Sequence, residues 1–146
     1  MAYSTILIAV DGSECSTNAV KKGIELAKDL SAKVILLSVV DMTSMVDNAA
    51  VGAIIDKDVE GAFEEEADKL LDKLMKKYPY DKITKISEEG IAKEAINTIA
   101  EHHKVDLIVM GTHGRTGLSH LFMGSVAEHV VRHSKIPVMV IATPEA

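Results

Sequence analysis

Five apolar runs alternating with four amphipathic segments predict an α/β protein, a doubly wound five-stranded parallel sheet covered by helices on both faces. Three features carry that reading. Most of the strand-like runs are continuous in Ile, Leu and Val, as strands buried on both faces are. The helical segments repeat their apolar residues every three and four positions. The order is strand, then helix, throughout, with no internal repeat, low-complexity stretch or linker. At 146 residues the chain fits one domain, 1–146.

The first run, "YSTILIAV" (3–10), is β-branched and short, and "DGSE" ends it. Ser13 can cap the helix that follows, and Glu14 suits its first turn. That helix sets Ala19, Val20, Ile24, Ala27 and Leu30 on one face. "KVILLSVV" (33–40) is the second strand. A long helix over 59–78 aligns Val59, Phe63, Ala67, Leu70, Leu71, Leu74 and Tyr78. "KITKIS" (82–87) alternates, which suits a strand at the sheet edge, and "GIAKEAINTIAEHH" (90–103) is amphipathic again. "DLIVMG" (106–111) and "IPVMVIA" (136–142) complete the strands, with a helix near 125–133 between them. The stretch 41–57 has no clear period; it reads equally as a binding loop or as a connection holding a short helix.

Composition narrows the partners. Hydrophobic residues are 47% and charged residues 26%, an ordinary globular balance. A net charge of −6 argues against nucleic acid, whose phosphates need Lys and Arg, and 3% aromatics leaves few stacking platforms. "MAYSTILIAV" has no basic start and too short an apolar core for a signal or a membrane span, so the expected place is the cytoplasm. Cys15, the single cysteine, reads as a small residue in a helix's first turn or as a redox sensor whose pKa the helix start lowers.

Between the fourth strand and the last helix stand Gly111, Gly114, Gly117 and Gly124, more glycine than a connector needs. Glycine is worth its entropy where φ is positive or where a ligand must touch backbone. The spacing is Gly111-x2-Gly114-x9-Gly124-Ser125, neither a Walker A loop nor a dinucleotide fingerprint. The physics of a phosphate cradle still applies: bare N–H groups near Gly114, and a helix N-terminus at Gly124-Ser125. Leu118, Leu121, Phe122 and Met123 would pin the loop to the core. Ligands of parallel sheets bind beyond the strands' carboxyl ends where strand order reverses. A reversal between strands one and four would make "DGS" (11–13) and "GTHG" (111–114) neighbours in one crevice.

The chain resembles the universal stress proteins in their ATP-binding branch. The resemblance runs from "ILIAVDGSECSTNAV" through "LLSVVD" and "DLIVMGTHGRTGLSHLFMGSVAEHVVRHS" to "IPVMVI", and the G-x2-G-x9-G-[ST] spacing is that branch's hallmark. It implies a Rossmann-like sheet, of the adenine nucleotide alpha hydrolase type, in strand order 3-2-1-4-5. It also implies ATP as ligand, with Mg²⁺ or Mn²⁺, and a homodimer joined through the last strand, 136–142. By resemblance Ala9 and Asp11 face the adenosine, Val39 reads adenine through its backbone, and Met110 and Gly111 lie by the ribose. Gly114, Gly124, Ser125 and Val126 match the triphosphate positions, with His113 and Arg115 between. Some relatives carry proline where this chain has Ala9.

Two of these residues have a second reading. A carboxylate repels a triphosphate, so Asp11 serves a hydrogen bond to the nucleoside, a shared divalent metal, or only the first helix turn. Arg115 offers phosphate a bidentate fork or is a solvated loop residue. His129 and His133 have metal-pair spacing, but Glu128 precedes the first and no third ligand is evident; His133, with Arg132 and Lys135, suits a helix C-terminus. The reading is therefore a nucleotide-binding regulatory module, with an unknown protein partner or a dimer as its output. The alternative is a slow ATPase or self-phosphorylating enzyme. Flavin binding is disfavoured by the scarcity of aromatics.

Overall fold

The computed structural model describes residues 3–40, 57–112 and 123–142. Its elements run β1 (Thr5–Val10), α1 (Glu14–Leu30), β2 (Lys33–Val40), α2 (Lys57–Lys77), β3 (Ile83–Glu89), α3 (Ala92–His102), β4 (Leu107–Gly111), α4 (Ser125–His133) and β5 (Val138–Ile141). The five strands form one sheet in order β3-β2-β1-β4-β5, and every pairing is parallel. Most of the 41–57 stretch, residues 41–56, lies outside the described residues.

β1 is the centre of the sheet, and its sequence explains why. Ile6, Leu7 and Ile8 are completely buried, so side chains on both of its faces meet helices. Each such burial contributes about 1.5–3 kcal/mol relative to exposure. Ile6 and Ile8 join one core cluster with Ala19, Val20, Ile24 and Ala27 of α1 and Leu71 and Leu74 of α2. Leu7 and Ala9 join the other, with Ile96 and Ile99 of α3 and Ala127 and Val130 of α4. Helices α1 and α2 thus cover one face and α3 and α4 the other. Right-handed crossovers require this when the chain winds outward to β3, then returns past β1 to β4.

Polar contacts set the ends of the elements. Ser13 caps α1, its hydroxyl accepting from the Ser16 N–H at 3.1 Å. β1 begins at Thr5 rather than Tyr3 because the Asp106 carboxylate holds the preceding turn. It accepts from the Ser4 hydroxyl, the Ser4 N–H and the Thr5 N–H, each at 2.9 Å. Those bonds, the Ser4 hydroxyl first, hold the Asp106 carboxyl below its ordinary pKa. At the β3 edge of the sheet, Lys85 reaches Asp68 and Asp72 of α2 at 2.8 and 2.7 Å. Its hydrogen bonds to Asp68, then Asp72, raise its pKa above the usual lysine value. Among the described residues no helix is long and apolar enough to cross a membrane.

Candidate functional site

At the carboxyl ends of the strands, where the order reverses about β1, lies a crevice of about 190 Å³. Its floor is Ala9, Leu37, Val39 and Met110, and its sides are the first turns of α1, α3 and α4. The register explains the opening. Val10 pairs with Ser38, so β2 continues for Val39 and Val40 after β1 has ended. Backbone groups alternate sides along a strand. The Lys33 N–H donates to Ser4 of the chain entering β1, and the Val40 carbonyl accepts from Gly90 on the β3 side. Val39, an odd position like Lys33, therefore turns its carbonyl towards the space that β1 has vacated. That carbonyl is an acceptor at the crevice.

The turn after β1 is braced by its own side chains. Gly12 has φ 84°, a left-handed conformation that glycine adopts without strain. Asp11 Oδ1 accepts from the Ser13 N–H at 2.9 Å, and the Asp11 N–H donates to Ser16 Oγ at 3.3 Å. Ser16 Oγ in turn donates to the Ser13 carbonyl at 3.0 Å. Ser13, not Asp11, is the N-cap; Asp11 is exposed on the crevice wall with one oxygen engaged in the turn.

Across the crevice, α4 starts at Ser125 with Gly124 as its N-cap. Gly124 has no side chain to accept from the first turn, and its own N–H is donated to the Thr112 carbonyl at 2.6 Å. The N–H groups of Ser125, Val126 and Ala127 precede the first intrahelical bond, from Glu128 to Gly124. They and the helix dipole make this end favourable to an anion. Glu128, the acid in this turn, stands on the exposed face paired with Arg132 at 2.7 Å. Gly124 sits at φ −63° and ψ 158°, ordinary extended backbone. Backbone strain therefore does not account for glycine at this position.

Gly111 has a different reason to be glycine. A Cβ there would stand 2.6 Å from Cys15 Sγ and 3.1 Å from the Cys15 backbone carbonyl carbon and oxygen. Its missing side chain lets the first turn of α1 cross the end of β4. Cys15 is buried, with its sulfur 3.7 Å from Thr112 Oγ1 and from the Ile141 carbonyl. Thr112 joins three elements: its N–H donates to Ile141 of β5, and its carbonyl holds Gly124.

Of the residues singled out from the sequence, Ala9, Asp11, Val39, Met110, Gly111, Gly124, Ser125 and Val126 all line this one crevice. His113, Gly114 and Arg115 lie outside the described residues, as do Gly117, Leu118, Leu121 and Phe122. The sequence reading passed over Ser16, Ala92, Ile96 and Thr112, which line it too. Ser16 had no clear signal, since a capping box after Ser13 would need Glu or Gln at that position. Ala92 and Ile96 looked like ordinary core positions of an amphipathic helix. His129 and His133 stack at 4.2 Å between centroids near the end of α4, and no three metal-binding side chains cluster among the described residues.

Comparison with known proteins agrees with this architecture. The universal stress protein family profile matches residues 2–142. Universal stress protein MJ0531 of Methanocaldococcus jannaschii is 38% identical, over 98% of this chain and 84% of that protein. MJ0577 of the same organism is 36% identical, over 95% of this chain and 94% of that protein. The solved structure of MJ0577 superposes with a TM-score of 0.84 at 30% identity, both chains covered in full. A universal stress protein solved in complex with cAMP superposes with a TM-score of 0.68 at 26% identity, over 99% of this chain and 100% of that one. By sequence and by fold, the chain belongs to the universal stress protein family.

Proposed function

We propose that this chain is an ATP-binding regulatory module with little or no ATPase activity of its own, acting in the cytoplasm through a homodimer or a protein partner. One observation carries the reading: a single crevice joins an apolar floor with a backbone acceptor, at Val39, to the helix start at Ser125, whose N-cap Gly124 has no capping side chain. The first suits a nucleobase and the second its phosphates. The relative in complex with cAMP supports an adenine nucleotide as the ligand class. On this reading Asp11 meets the ribose or base, Met110 and Gly111 flank the ribose, and Gly124, Ser125 and Val126 receive phosphate. His113, Gly114 and Arg115 would complete the phosphate end. Mg²⁺ or Mn²⁺ would enter as the counter-ion of the triphosphate, with Asp11 the carboxylate nearest to hand.

Binding is better supported than turnover. Phosphoryl transfer needs charge neutralised and a nucleophile positioned, and among the described residues Asp11 is the one ionisable side chain on the crevice wall. A backbone cradle that grips ground and transition states equally does not accelerate the chemistry. Calorimetry with ATP and a phosphate-release assay test both halves. Wild type should bind ATP with Mg²⁺ and turn over well below ~1 s⁻¹, against ~10 s⁻¹ for a median enzyme. Gly124→Val places methyl groups at the phosphate end and should weaken binding at least ~10-fold, with the circular dichroism unchanged. Undiminished affinity in that variant would sink the phosphate assignment. Turnover above ~1 s⁻¹ that falls ~100-fold in His113→Ala would make the protein an enzyme instead.

A further inference from the structure

Helix α4 starts at the crevice and carries a pair of histidines towards its other end. His129 and His133 are four apart, so they lie one above the other on one face of the helix. Their ring centroids are 4.2 Å apart, with the planes tilted by 39°. We infer that this pair is a second, separate binding site, a two-imidazole chelate for a divalent ion of the kind imidazole favours: nickel, copper or zinc. Water would complete the coordination, since no group of three metal-binding side chains forms among the described residues.

Spacing and support both suit a shared ion. An ion held at about 2.0–2.1 Å by each ring needs the two nitrogens about 3 Å apart. Rings already this close reach that distance by turning about their side-chain bonds, with no movement of the backbone. The helix is anchored on another face by Ala127 and Val130, both buried in the core. It thus keeps the second imidazole beside the first, and a pair so held retains an ion that one ring alone would lose. His129 is half-buried, which restricts its ring; His133 is exposed, which gives the ion a way in from solvent.

The surrounding charge is favourable too. His133 is the last residue of α4, where the carbonyl end of the helix dipole attracts a cation. Two basic side chains stand nearby, and each faces an acid. Arg132 Nη2 is 2.7 Å from Glu128 Oε1, and Lys135 Nζ is 4.0 Å from Glu101 Oε1. The histidines at the end of α3 make the contrast. His102 is the last residue of that helix and His103 its C-cap, and their rings, 5.2 Å apart, meet edge to face at 83°. There the edge of one ring points into the face of the other, so the two do not converge on one ion.

The test is calorimetric titration of NiCl2 into the untagged wild type, His129→Ala, His133→Ala and His102→Ala, with circular dichroism on each. Loss of a mere outer-shell partner of a metal ligand costs ~10–100-fold in affinity, so loss of a ligand should cost at least ~10-fold. Wild type should take up nickel, His129→Ala and His133→Ala should each weaken it by that much, and His102→Ala should leave it unchanged. His133→Ala is the decisive variant, because the exposed residue can go without disturbing the fold. The pair is aligned only in the formed helix, so nickel should also raise the Tm of wild type and not of those two variants. Wild-type affinity in folded His133→Ala overturns the chelate, as does a wild type that takes up no nickel. A loss confined to His102→Ala overturns it equally. None of these results touches the nucleotide reading, whose ligand enters at the opposite end of α4.

Discussion

Cys15 and Gly111 touch where α1 crosses the end of β4, and the contact illustrates how one residue's identity depends on a distant one. A methyl at Gly111 meets both the sulfur and the backbone of Cys15. The sulfur can turn aside, but the backbone of a helix's first turn moves only with the helix. Gly111→Ala should therefore destabilise by about 1–3 kcal/mol, the usual cost of overpacking. For a chain of this size that lowers Tm by roughly 3–10 °C. Adding Cys15→Ala should recover part of the loss, because the sulfur clash goes and the backbone clash stays. Thermal denaturation of the two variants checks this; a Gly111→Ala protein as stable as wild type would refute the packing account. The sequence showed a run of glycines and suggested ligand contact for Gly111, Gly114 and Gly124. At Gly111 the deciding neighbour is Cys15, far away along the chain, so no local pattern exposes it. Gly124 lines the crevice in ordinary extended backbone, so conformational freedom does not explain its glycine.

The elements themselves were legible to within two residues at every boundary compared, because their patterns are local. Apolar runs mark β1, β2 and β4, and three-and-four spacing marks the helices. Their ends were less legible where tertiary contacts decide them. Asp106, just before the neighbouring strand β4, sets the start of β1. β3 runs on to Glu89 because Glu88 and Glu89 pair with Val39 and Val40. The two sheet edges differ in a way that bears on assembly. β3 carries Lys85, Glu88 and Glu89, charges of the kind that discourage edge pairing. β5 is Val138–Ile141, wholly apolar, and among the described residues only β4 pairs with it. The Pro137 and Ile141 carbonyls accept from β4 and Thr112, so Val138 and Val140 turn their backbone groups to the open edge. We propose that two copies pair there about a two-fold axis. Val140→Pro removes one outward N–H while sparing the bonds to β4. By light scattering it should convert a dimer to a monomer, with secondary structure retained. A wild type that is monomeric at tens of micromolar would rule out the dimer.

At the scale of the whole molecule, strand order determines where the crevice lies. Because the chain winds outward from β1 to β3 and then returns to β4, the turns after β1 and β4 become neighbours and the faces covered by helices switch. Clusters at 11–13 and 111–114 pointed to that place, since turn chemistry is written locally. The contribution of α3 was hidden, because an alanine and an isoleucine on a helix read the same whether they face core or ligand. On the proposed function, ATP enters this crevice with its phosphates at the start of α4. Amide chemical-shift mapping by NMR during titration with ATP and Mg²⁺ tests that most directly. Saturable shifts should concentrate at Val39, Gly111, Ser125, Val126 and Ala127, while β3 residues Thr84 to Ser87 and the body of α2 stay still. Saturable shifts located elsewhere, or none at millimolar ATP, would contradict it.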